Sequence, residues 1–95
     1  MLIVRNCFVA KPGQASALAA LLKEAARAVE APGHRVLTDL TGDFNRVILE
    51  YEAANLGEFE ARMQAHMGGG TFREKMKGYT DLYLTGHREI LRVVE

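Results

Sequence analysis

Local pattern changes five times along this chain, and the order of those changes leaves few folds open. Residues 2 to 10, LIVRNCFVA, are rich in β-branched and aromatic types and stop at KPG, as a strand closed by a turn does. The next stretch, GQASALAALLKEAARAVEA, places Ala15, Leu18, Leu22, Ala25 or Ala26, and Val29 on one stripe at helical spacing. Lys23, Glu24, Arg27 and Glu30 take the opposite face, and APG at 31 to 33 ends the helix. HRVLTDLT at 34 to 41, GDF at 42 to 44 and NRVILEYEA after it read as a hairpin of two strands. Asn55 with Glu58 has the spacing of a capping box, and LGEFEARMQAHM then carries Leu56, Phe59, Met63 and Met67 on one helical stripe.

Glycines 68 to 70 interrupt that helix, since each costs a helix interior about 1 kcal/mol relative to alanine. Thr71 with Glu74 repeats the capping pattern, which predicts a short second helical piece over TFREKMK, closed by Gly78. A phosphate loop needs a preceding strand and a following Lys with Ser or Thr, neither of which the glycines have. They read instead as a break that lets Met67 and Phe72 part over a pocket, with 67 to 71 mobile. YTDLYLTGHREILRVVE supplies a last strand, interrupted near Gly86, and an apolar C-terminal extension over 88 to 95 that packs on a partner subunit.

The order is strand, helix, strand, strand, helix, strand. Residues 1 to 42 and 43 to 87 are each a strand-helix-strand unit, which is the α+β, ferredoxin-like split βαβ pattern (βαββαβ). It predicts one domain over 1 to 95: a four-stranded antiparallel sheet with both helices on one face. The uncovered face should then be polar, yet Ile3, Cys7 and Val9 oppose Leu2, Val4 and Phe8, and Ile48 opposes Val47, Leu49 and Tyr51. An apolar sheet face in water marks an interface. The expectation is a homodimer whose two sheets pack face to face into a dimeric α/β barrel.

Composition removes other classes. Lys and Arg balance Asp and Glu at 12 each, so no net charge favours nucleic acid or an anionic membrane surface. The N-terminus is too short and too interrupted by charge for a signal peptide or a span, which points to a cytoplasmic protein. Cys7 is the only cysteine, so an internal disulfide and a CxxC site are both excluded. His34, His66 and His87 form no HxH or HExxH pattern, and the expectation is no metal.

Size, element order, KPGQASALAALLKEA entering the first helix and NLGEFEAR entering the second make the chain resemble the dimeric α/β-barrel superfamily. The resemblance is to its antibiotic-biosynthesis-monooxygenase-like and NIPSNAP-like branches. It implies a ligand pocket inside each protomer between sheet and helices, and an activity among cofactor-independent oxygenases of aromatic substrates or heme-degrading monooxygenases. Heme-degrading members carry an asparagine seven residues before the glycine that opens the first helix, matched here by Asn6 and Gly13. They also carry a tryptophan and a heme-ligating histidine. This chain has no tryptophan, and Met76 stands near the ligand position. The expectation is therefore no cofactor, with heme as the exception, and a hydrophobic or aromatic small molecule as ligand. A non-enzymatic homodimeric ligand-binding or assembly module is the alternative.

Candidate site residues follow. Asn6 is an amide amid Leu, Val and Phe and must find partners if buried, either a ligand oxygen or a structural group. His87, after Gly86, carries an imidazole, the side-chain type suited to proton transfer near neutral pH. Phe59, Met63, Met67, Phe72 and Met76 form a soft apolar pocket wall or plain core. Tyr79 and Tyr83 share a strand parity with Asp81 and His87, so Asp81 is a charge partner for Arg5 across the barrel face.

Overall fold

The computed structural model describes residues 1–67 and 70–95, with Met67 in its backbone only. Strand β1 (Leu2–Ala10) leads to helix α1 (Ala15–Ala28). The hairpin strands β2 (Arg35–Thr38) and β3 (Arg46–Ala53) follow, then helices α2 (Leu56–Met67) and α3 (Gly70–Lys75). A 3-10 turn (Tyr79–Asp81) precedes β4 (Tyr83–Arg92). The four strands form one sheet in the order β2-β3-β1-β4, antiparallel throughout. This is the ferredoxin-like βαββαβ arrangement that the order of patterns predicts.

The core lies on one face. Ala10, Val47 and Leu49 from the sheet meet Leu18, Leu22 and Ala26 of α1, all nearly free of solvent contact. Burying a Leu of this kind contributes roughly 1.5–3 kcal/mol, so α1 is the element that anchors the fold. It ends in a Schellman-type turn. Glu30 takes a left-handed φ of 52°, and Ala31 N–H donates to Ala26 carbonyl at 3.0 Å.

Helix α2 begins as its sequence requires. The Glu58 N–H donates to Asn55 Oδ1 at 2.8 Å, while Glu58 Oε2 accepts from the Ala54 N–H at 3.0 Å. The reciprocal bond thus reaches one residue further back than in the standard box. The second box does not form as expected. α3 starts at Gly70, which places Thr71 inside the helix instead of at its cap. Gly78 then turns the chain with φ 84°, a left-handed conformation that a side chain resists. The reading of the glycine run as a door falls in part on residues outside those described.

Three other expectations change. Residues 79 to 81 are a 3-10 turn and not strand, so Asp81 does not reach Arg5. Arg5 lies opposite Glu50 on β3 and Glu89 on β4. Residues 88 to 92 are the second half of β4 and pair with β1, Ile90 opposite Val4 and Leu91 opposite Ile3. Finally, the register of β4 shifts between Val9 and Ala10, which sets Tyr83 opposite Ala10 and against the core. Leu84 becomes 63% exposed, although the simple parity put it on the helices.

On the opposite face, no helix among the described residues covers the sheet. It is less bare than the alternation suggests. Cys7 and Ile48 keep only 5% and 7% exposure there. Polar side chains lie between them: Arg35 donates to Glu50 Oε1 from Nε at 2.8 Å and stands 2.7 Å away at Nη2, and Arg5 Nε is 3.5 Å from Glu50 Oε2. Leu91 remains 44% exposed.

Candidate functional site

Helix α1 seals the β3 half of the inner sheet face. Over β1 and β4 the cover is α2, α3 and the 3-10 turn, whose side chains are half-buried at most from Leu56 to His66 and from Gly70 to Asp81. A cavity of about 440 Å³ opens beneath them, within the size range of sites for small molecules.

The cavity's floor is aromatic. Phe8, projecting from β1, meets Tyr83 edge-on with centroids 5.0 Å apart and Tyr79 at 6.5 Å, while Tyr79 and Tyr83 stack at 5.6 Å. Gly86, directly across from Phe8, makes this possible: a Cβ there would lie 3.1 Å from the Phe8 ring. Burial raises the Tyr79 phenol above its ordinary value, with the nearby Tyr83 hydroxyl adding to the effect. Leu22, Leu49, Met63, Phe72 and Met76 complete the apolar wall.

One end of the cavity is polar. Asn6 and Arg88 face each other across β1 and β4, and Arg88 Nε donates to Asn6 Oδ1 at 2.6 Å. The guanidinium also lies over the Phe59 ring, 5.4 Å from its centroid. Tyr51 and Arg62 are near Asn6 and Arg88, and His66 also lines the cavity. Burial raises the Tyr51 phenol, an effect opposed by Arg88, the Asn6 amide and Arg62. Tyr51 is therefore a neutral hydroxyl near cationic and amide donors. The His66 ring stands 6.0 Å from Phe72, tilted by 31°.

Of the residues singled out in the sequence, Asn6, Met63, Phe72, Met76, Tyr79 and Tyr83 border this one cavity. Phe59 does not line it but supports Arg88 from behind. The Met67 side chain lies outside what is described. His87 touches the rim at the edge strand, yet its register opposite Cys7 turns the ring to the other face, where Nε2 is 3.9 Å from Glu89 Oε1. The imidazole at the cavity is instead His66. Sequence reading missed Tyr51, Arg62, His66 and Arg88 as lining groups. Tyr51 shares the parity of Leu49, and Arg62 and His66 are one turn apart, so both could be read from period; Arg88 required the β4 register.

On the open face, Cys7, His87 and Glu89 bring potential ligand atoms within 4.8 Å of one another, with Cys7 Sγ 3.5 Å from Glu89 Oε1. Cross-strand pairing makes this cluster, so linear spacing does not reveal it. Burial raises the Cys7 thiol, and the hydrogen bond and charge of Glu89 add to that, while Arg5 and Arg46 oppose it. Two guanidiniums nearby weigh against a cation at this place.

No protein-family model matches the chain, and no curated protein does. Solved structures match it throughout. An uncharacterized NIPSNAP-domain protein from Burkholderia xenovorans superposes with a TM-score of 0.85 at 10% identity, covering 99% of this chain and 95% of its own. A NIPSNAP-family protein from Agrobacterium tumefaciens gives 0.83 at 13% identity, covering 99% and 86%. An antibiotic biosynthesis monooxygenase gives 0.74 at 15% identity, covering the whole of both chains (100% each). At such identities the likeness establishes the fold. It is the α+β, ferredoxin-like fold of NIPSNAP-domain and antibiotic-biosynthesis-monooxygenase structures, as the sequence resemblance implies. No helix among the described residues is long and apolar enough to cross a membrane.

Proposed function

We propose that this chain is a homodimeric small-molecule oxygenase that takes a hydrophobic or aromatic substrate into the cavity between sheet and helices and needs no bound cofactor. The carrying observation is that cavity: an aromatic floor of Phe8, Tyr79 and Tyr83, with Asn6, Tyr51 and Arg88 close together and His66 also in the lining. Such a division gives an aromatic substrate a place to stack and its oxygen a set of donors. In this reading His66 accepts a proton from an acidified C–H or O–H, and Tyr51 and Arg88 hold the anion left behind. An electron-rich anion can reduce dioxygen itself: a methylene becomes a carbonyl, and the second oxygen atom leaves as water. No external reductant is then required. Should heme bind, His66 is the imidazole at the cavity that could ligate it, with Arg62 and Arg88 for its propionates. The group would supply the redox chemistry.

The alternative is a non-enzymatic ligand-binding module. It is favoured by the commitments of the two residues first singled out, since Asn6 Oδ1 is held by Arg88 and the His87 ring is drawn toward Glu89. Oxygen-electrode measurements with fused-ring phenols and benzylic ketones, paired with binding titrations, separate the readings. The oxygenase predicts uptake that falls at least 10-fold or so in His66→Ala, on the scale of general-base catalysis. Binding without uptake leaves the module. A heme titration without a Soret shift removes heme. Dimerisation through the open sheet face, with residues 93 to 95 reaching the partner, predicts twice the chain mass at micromolar concentration by light scattering.

A further inference from the structure

The cavity's charges are unequal. Among its described lining residues there are two arginines and, besides His87 at the rim, one histidine, and there is no aspartate or glutamate. In a chain with as many acidic as basic side chains, that asymmetry is specific to this place. Arg62 shares its charge with Glu58, 3.5 Å away on the next turn of α2. Arg88 has no carboxylate partner among the described residues.

The setting of Arg88 is more informative than its charge. Asn6 Oδ1 takes its Nε–H at 2.6 Å, and the Phe59 ring supports the face of the guanidinium. Two of its degrees of freedom are thereby fixed by neutral groups that leave the charge unspent. The terminal Nη groups have no protein partner among the described residues, and they form the end-on fork that fits the two oxygens of a carboxylate. Tyr51, kept neutral by burial, adds a hydroxyl donor beside it. Asn6 is then a positioning residue for Arg88.

We infer that the cavity selects an amphipathic anion: an apolar, ring-sized body on Phe8, Tyr79 and Tyr83 with a carboxylate seated on Arg88 and Arg62. This rests on the cavity being the ligand site, and it names the chemical class of that ligand.

Three probes of one size test it by calorimetry on the full chain at neutral pH: naphthoate, its methyl ester, and naphthylmethylammonium. The expected order is acid, ester, ammonium, with the acid about 10-fold tighter than the ester. That is the weaker end for a charge-assisted hydrogen bond, because Arg88 is partly in water. Arg88→Gln should bring the acid to within about 2-fold of the ester and leave the ester unmoved, while Arg27→Gln, on the far side of α1, should change neither. Equal binding of acid and ester by the native chain would overturn the anion assignment and leave the cavity as the ligand site. Retained discrimination in Arg88→Gln would overturn the role of Arg88. Loss of the ester as well in that variant would mean that Arg88 holds the cavity's shape and not a head group, which also overturns it. If none of the three binds, the cavity is not the ligand site, and both proposals fall together.

Discussion

Gly86→Ala is the sharpest single test of how the aromatic floor is held. Gly86 is not in a left-handed conformation, so the argument is one of space alone. An added methyl would lie 3.0 Å from the Cys7 carbonyl oxygen and 3.1 Å from Phe8 Cδ1. The carbonyl belongs to the strand opposite and cannot swing without breaking the β1–β4 ladder. The Phe8 ring meets Tyr83, 5.0 Å away centroid to centroid, and Tyr79 at 6.5 Å, and is free to shift only on the side where it borders the cavity, so the fixed carbonyl supplies most of the cost. Overpacking of this kind costs about 1–3 kcal/mol. Against it stands a gain of about 0.4–1 kcal/mol from the less flexible unfolded chain. The net expectation is a loss of about 1 kcal/mol, which for a domain of this size lowers Tm by about 4–8 °C.

Thermal denaturation followed by far-ultraviolet dichroism measures that shift, and the near-ultraviolet tyrosine signal should change with it. Phe8→Leu removes the ring edge that the methyl meets, so the double variant should be more stable than the sum of the two single losses by about 0.5 kcal/mol or more. An unchanged or raised Tm in Gly86→Ala, or strict additivity in the double variant, would refute the claim that Gly86 exists to admit Phe8.

Glu30→Gly relieves a left-handed φ of 52° at the end of α1 and should raise stability by about 0.5 kcal/mol, read as a higher urea midpoint with an unchanged slope. Asn55→Ala removes the acceptor 2.8 Å from the Glu58 N–H and should cost about 1 kcal/mol, with Asn55→Asp close to native. The folded chain holds the protons of Cys7, Tyr51 and Tyr79 more tightly than the unfolded chain does. Stability is therefore intact below their ordinary values and should fall as pH rises above about 9, with Tyr51→Phe flattening the decline in a series of urea melts.

The fold was legible because its elements are strongly periodic. The stripe from Leu18 to Ala26 could be only one helix face, and the alternation in RVILEYEA only one strand. The site was legible where a residue's face follows from its own element. Met63, Phe72 and Met76 fall on the cavity as their helical spacing implies. It was illegible where an irregularity of β4 decides, since the shift between Val9 and Ala10 displaces the Tyr83 end of the strand relative to residues 85 to 92. That shift sends Tyr83 to the core and carries Leu84 into solvent. Arg88 against Asn6 and His87 against Cys7 lie in the regular part of the ladder beyond it, where the simple parity holds. A parity count begun at Tyr79 has no means of finding the shift, because Tyr79 is not in the strand.

The unequal covering of the sheet connects these results. Leu18, Leu22, Ala25 and Ala26 bury α1 completely against the β3 side, while Leu56 to His66 and the short α3 have no fully buried side chain. The two halves of one protein layer thus differ in how much apolar area holds them down. Elements with few buried contacts open at lower free energy than the core they cover. A ligand that fills the cavity replaces the missing contacts beneath α2 and α3, and it also touches Leu22 and Ala26 of α1, which are already buried without it. Its binding energy therefore protects α2 and α3, whose opening releases the ligand, and opposes global unfolding as well. Amide exchange should slow on Phe59 to His66 when an apolar anion binds, and by no larger a factor on Leu18 to Ala26, because a ligand of the folded state also opposes global unfolding. Slowing on Leu18 to Ala26 alone would refute the claim that the ligand lies beneath α2 and α3. The same weakness that denies this half of the molecule a dry core is what leaves the cavity open beneath α2 and α3.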